Sequence, residues 1–162
     1  MTEAIERYFQ AEQAESLLFV ALGVVAIAAS VFLLWRYGDA MSKGLAIPLI
    51  AVGLIQIVVG GSVYLRTPQQ LSALKIQQTH AGAKFKADET ARMATVMTNF
   101  KIYKIIEVGF VLVGLAIVLL IGQPFWLGIG MGMLVQGALM LPADITAEQR
   151  GAVYQEAMAR SK

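Results

Sequence analysis

Four stretches, residues 17–35, 45–64, 102–121 and 124–141, are built almost wholly from apolar and small residues, and charge enters only the third, as Lys104 and Glu107. Each is close to the ~20 residues that a helix needs to cross a hydrocarbon core of about 30 Å. Lipid offers no hydrogen bonds to a bare backbone, so runs of this length and separation predict helices that satisfy their own amides. The chain is therefore read as all-α: a polytopic membrane protein with a four-transmembrane-helix bundle. Its 162 residues are 57% hydrophobic and 15% charged, against about 25% charged in an average soluble domain.

Residues 1–16 carry Glu3, Glu6, Glu12 and Glu15 against Arg7 alone. A cleavable secretory signal needs a basic flank, and apolar sequence continues to Trp35, past the small-residue motif Ala26-Ile-Ala28, so the first run reads as a retained span. With Thr2 as N-cap, Ile5, Tyr8, Phe9 and then Ala11 or Glu12 share one stripe of an amphipathic helix. Such a helix lies on the membrane or on a partner helix.

Local signals set the remaining boundaries. Gly38 suits a helix C-terminus and Ser42 an N-cap, so residues 36–44 are expected to close a tight hairpin. Thr67-Pro68 is expected to restart a helix, and Gly122-Gln123 to join the last two spans. Pro142 is expected to stop the fourth span. Thr146-Ala-Glu-Gln149 has the form of a capping box, opening a tail helix within 142–162 whose apolar residues are Ile145, Val153 and Met158.

The one long polar segment, 66–101, has Leu71, Leu74, Ala81 and Phe85, then Met93, Val96, Met97 and Phe100, mostly at helical spacing. A single straight helix would end roughly 50 Å from the membrane to which the third span must return. The chain is therefore expected to turn near Gly82, or at Asp88 as a cap, into a cytosolic helical hairpin, or else to lie on the surface as two helices. Of the 13 Lys and Arg, all but Arg36 and Lys43 fall on the side shared by the N-terminus, this segment and the C-terminus. The positive-inside rule reads that side as cytosolic, and short loops with neither cysteine nor an Asn-x-Ser/Thr acceptor suit a bacterial inner membrane. Trp35, Tyr37, Phe125 and Trp126 form the expected outer aromatic belt, with Tyr64 and Tyr103 on the inner side.

Small residues share faces with polar ones inside the spans. Gly128, Gly132 and Gln136 fall on one face of the fourth, Gly53, Gln56 and Gly60 on one face of the second, Gly23, Ala26 and Ser30 on the first, and Glu107 with Gly114 on the third. The first use of such faces is close packing of helices. By depth, Glu107, Gln56 and Gln136 are expected to meet in the inner leaflet as a polar network, with Glu107 protonated or paired to Lys104 one turn away; an intramembrane carboxylate also suits a proton or cation pathway. Lys75, Lys84, Lys86, Arg92 and Lys101 are expected to touch anionic headgroups or a protein partner, and the acidic N-terminal helix is one such partner for the basic hairpin.

No nucleic-acid interface is expected, because the basic residues are dispersed and lack interleaved aromatics. His80 is the one histidine and has no second ligand at a metal spacing, so neither metal nor cofactor is expected. No serine-nucleophile set, phosphate loop or zincin motif occurs. The favoured reading is a non-catalytic inner-membrane protein presenting a cytosolic helical layer for self-association or for another membrane subunit. The alternatives are a small proton- or cation-coupled transporter or channel using Glu107, and, last, a membrane enzyme acting on lipid.

Overall fold

The computed structural model describes residues 2–80 and 82–160; Ala81, Lys162 and the side chains of His80 and of Thr2, the expected N-cap, lie outside the described residues. Everything described belongs to four helices and the short turns between them: α1 (Thr2–Arg36), α2 (Ala40–His80), α3 (Gly82–Leu120) and α4 (Pro124–Arg160). Each is long and apolar enough to cross a membrane. Even α1, with 35 residues, is roughly 50 Å long at 1.5 Å per residue, so every helix outruns a hydrocarbon core by some 20 Å.

The turns follow from local chemistry. Gly38 takes a left-handed φ of 60°, and the Tyr37 and Gly38 amides both donate to the Leu33 carbonyl at 3.0 and 3.4 Å, ending α1. The cap of α2 is Asp39, not Ser42: its Oδ1 accepts from the Ser42 amide at 2.7 Å, and that bond holds its carboxyl below the ordinary carboxylate range. Pro124 begins α4, where its missing amide proton costs nothing, and the Gln123 carbonyl accepts the first helical bond from Leu127 at 3.0 Å. α2 ends at His80 and α3 begins at Gly82, and Asp88 lies inside α3, where it caps no helix.

Three expected interruptions are absent. Pro68 lies within α2 and Pro142 within α4, so neither restarts or stops a helix. Thr67 bonds back to the Val63 carbonyl at 2.7 Å, one turn before, instead of capping a new helix. Thr146 likewise bonds to the Ala143 carbonyl at 2.8 Å, so the capping box is not used as one. Of the apolar residues expected on the α4 extension, Met158 is buried, together with Ala147, Gly151 and Tyr154, whereas Ile145 and Val153 are exposed.

The helices pack in the spatial order α1, α2, α4, α3. Extensive contacts join α1 to α2, α2 to α4 and α4 to α3; α1 and α3 nowhere approach backbone to backbone among the described residues. Glycines set the spacing. A Cβ on Gly23 or Gly53 would meet the other's carbonyl oxygen at 2.5 or 3.0 Å across α1 and α2, and one on Gly114 or Gly130 would meet the other's at 2.8 Å across α3 and α4. Between α2 and α4, Gly44 lies on Phe125, Gly128 on Met41, and Gly132 on Pro48 and the Leu45 carbonyl. The N-terminal ends of α2 and α4 therefore lie side by side, and both turns are at one end of the molecule.

Exposed apolar side chains run in bands along the helices, from Leu17 to Trp35, Ile47 to Leu65, Ile102 to Leu120 and Trp126 to Leu139. A soluble monomer rarely shows so much contiguous apolar surface, and a lipid-facing helix requires it.

Candidate functional site

The polar residues singled out from the sequence separate into two sets. Gln56 and Gln136, each 2% exposed, meet between α2 and α4, where Gln56 Nε2 donates to Gln136 Oε1 at 3.2 Å and also to Met140 Sδ. Gln136 Nε2 reaches the Leu49 carbonyl at 3.5 Å. The seam above them is glycine against backbone, so the two amides continue the α2–α4 contact, and Gln56 Oε1 is left buried without a partner among the described residues.

Glu107 does not join them. It stands beside Gly137, the residue after Gln136, on the face of α4 turned toward α3. Its carboxyl faces that of Asp144, and its Oε2 is buried with no hydrogen-bond partner among the described residues. Lys104 is not Glu107's partner: it pairs with Glu148 one turn along α4 and also faces Asp144. Asp144, only 6% exposed, is thus a site residue that sequence reasoning missed. The signal was available as Asp144 and Glu148 at i, i+4, facing Lys104 and Glu107, but a helix stopped at Pro142 hides it.

At the end of the molecule opposite the turns, all four helices contribute to a second centre. Ile5, Tyr8 and Phe9 of α1, Phe85 and Met93 of α3, and Tyr154 and Met158 of α4 form one buried cluster, with Leu71 and Leu74 of α2 packed against it. Glu89, 1% exposed, lies within it. Arg92 donates to both Glu89 oxygens at 2.7 Å, and the Tyr154 hydroxyl donates to Oε1 at 2.9 Å. The Arg92 guanidinium also stands 5.8 and 5.3 Å from the Tyr8 and Phe9 ring centroids, and Tyr8 stacks on Tyr154 at 4.7 Å.

Burial alone would lower the Arg92 pKa, but the hydrogen bonds and charge of Glu89 outweigh it and hold the guanidinium firmly charged. Burial, reinforced by Glu12, pushes the Tyr8 phenol up to about 12, and burial with Glu89 raises Tyr154 further. Burial also raises Glu12, although Arg92, Arg66 and a 3.3 Å bond from Thr67 oppose it.

Acidic residues of α1 spread across the other three helices: Glu6 pairs with Lys75 of α2 at 2.6 Å, Glu12 faces Arg92 of α3, and Glu15 pairs with Arg150 of α4. Of the two expectations for Lys75 and Arg92, lipid headgroups or a protein partner, these contacts are of the second kind, with the acidic N-terminal helix as the partner. Lys84 and Lys101 are exposed, and Lys86 Nζ reaches the Ala159 carbonyl at 3.5 Å. Between the α1 and α4 extensions lies an open groove of about 720 Å³, floored by Tyr8 and Tyr154 and edged by Arg7, Gln149 and the 67% exposed Val153.

Among the described residues, no group of three or more His, Cys, Asp or Glu is placed to hold a metal ion. No protein-family model, characterised protein or solved structure matches the chain.

Proposed function

We propose that this is a non-catalytic membrane protein, of the bacterial inner-membrane kind, whose four spans carry a rigid cytosolic platform for self-association or for a partner subunit. The spans are 17–35, 45–64, 102–121 and 124–141. The segment 66–101 turns back near Gly82 as a cytosolic hairpin, and the extensions 1–16 and 142–162 complete the platform, both termini being cytosolic.

The observation that carries the reading is the convergence of all four extensions on one buried core closed by Glu89, Arg92 and Tyr154. An aqueous pathway gains nothing from such a layer, and the glycine-to-backbone seam between α2 and α4 leaves little room for one through the centre. The groove edged by Val153 gives the platform an apolar contact surface. The test is the detergent-corrected mass of the purified protein, alone and with subunits cross-linked in the membrane. Val153→Asp is expected to lower the assembled mass without lowering the unfolding midpoint; unchanged assembly removes the groove from the reading.

The Glu107–Asp144 pair supports a second reading, a small proton- or cation-coupled transporter, because two facing carboxyls with a buried, unpartnered oxygen can exchange a proton. Flux into proteoliposomes that rises above background and is abolished by Glu107→Gln would establish transport and overturn the platform as the principal role. Background flux in both proteins leaves the platform standing.

A further inference from the structure

Beside the α1–α2 turn, a shallow apolar groove of about 560 Å³ runs along α2, lined by Ala46, Ile47, Ile50 and Leu54 with Leu34 of α1 on its flank, and Lys43 closes the end nearest the turn. From 43 to 54 is 11 residues on one helix face, roughly 16 Å at 1.5 Å per residue. That length is about half of a 30 Å hydrocarbon core, the depth of one leaflet. Lys43 itself is exposed, as are Ile47 and Leu54 at about half of their surface. Asp39 lies near enough to feel the Lys43 ammonium, but its carboxylate already caps α2 through the Ser42 amide. The exposed Trp35 and Tyr37 place this end of the helices at an interface between lipid and water.

We propose that this groove binds one acyl chain of an anionic glycerophospholipid, with the lipid phosphate against the Lys43 ammonium. A zwitterionic lipid fills the apolar slot equally well but brings its own cation to the headgroup, so the lysine selects for net negative charge. The inference rests on the spans alone and not on the cytosolic platform. Lipid in this position also covers the α1–α2 hairpin where α1 has no second helix beside it, since only α2 packs extensively against α1.

The experiment offers equimolar phosphatidylglycerol and phosphatidylcholine of matched chains to the detergent-solubilised protein and counts retained lipids by native mass spectrometry. The wild type is expected to retain one phospholipid with about a fivefold preference for phosphatidylglycerol, the worth of one lysine at an anionic surface. Lys43→Gln is expected to bring that preference to near one. Ala51→Phe, which fills the groove from an exposed lining position, is expected to remove the retained lipid of either kind while the unfolding midpoint holds. Equal retention of both lipids by the wild type, a preference that survives Lys43→Gln, or lipid retained by Ala51→Phe overturns the proposal and returns any anionic preference to exposed cations such as Lys84 and Lys101. Alkaline extraction of the source membranes separates the two levels of failure. A chain that stays in the pellet but shows no preference sinks only the lipid site, whereas a chain released to the supernatant sinks the spanning reading with it.

Discussion

At the scale of single residues, the most deeply buried acidic side chain among the described residues lies outside the hydrophobic runs. Glu89 is buried as a charge, and Arg92 and Tyr154 use its oxygens fully. Removing one partner of such a pair leaves the other charge uncompensated, at about 3–5 kcal/mol. Arg92 keeps 28% of its side-chain surface and can turn toward water, so Glu89→Ala is expected to cost about 3 kcal/mol, seen as earlier tryptic cleavage of the extensions. Glu89→Gln, which still accepts from Tyr154, should cost less. Glu12 gives a pH test. Its folded pKa is raised from the ordinary 4.5 by burial, so the folded state holds the proton more tightly than the unfolded one. Stability should therefore fall as pH rises from that unfolded value through the folded one, then level off. The difference in unfolding midpoint between wild type and Glu12→Gln should become less favourable to the wild type over that window; a flat difference defeats the assignment. Of these residues the sequence exposed the types but not the partners. Gln56 and Gln136 meet as their depths suggested, while Glu107 and Lys104 turn to Asp144 and Glu148, because α4 stands between α2 and α3 and shows them different faces.

At the scale of elements, four helices were legible from the apolar runs, and their unbroken length was not. Rules that place proline at helix boundaries misread Pro68 and Pro142, because tertiary contact overrides a cost of about 3 kcal/mol per interior proline in an isolated helix. Beside Pro68 the Thr67 hydroxyl reaches back to the Val63 carbonyl, and each extension past its proline is held by the shared core beyond. The same override sorts the glycines. Gly114 and Gly130 lie with each backbone on the other, so Gly114→Leu must push α3 from α4 and should cost several times what any propensity gain returns. Gly109, five residues earlier on the same helix, has open space where a Cβ would stand. Gly109→Ala should leave the unfolding midpoint in place or raise it by about 0.5–1 kcal/mol in stability, since alanine is the better helix former. If both substitutions cost the same, helix propensity and not close approach governs this interface.

At the scale of the whole molecule, α2 and α4 form a parallel central pair, α1 and α3 flank it, and only the extensions bring all four helices into one core. That arrangement places the N-terminal end of α1, the boundary between α2 and α3, and the C-terminal end of α4 together, with both short turns opposite. The proposed cytosolic side rests on charge, since among the described Lys and Arg only Arg36 and Lys43 belong to the end with the turns. The chain has no cysteine, so single introduced thiols report sidedness without background. Gln123→Cys lies in the exposed turn before α4, and Lys84→Cys lies exposed in the first turns of α3. In intact cells a membrane-impermeant maleimide should label Gln123→Cys and leave Lys84→Cys untouched until the membrane is opened. The reverse pattern would set the Glu89–Arg92 core outside the cell and the Lys43 groove in the inner leaflet, so one experiment fixes which face the platform offers and which leaflet supplies the lipid.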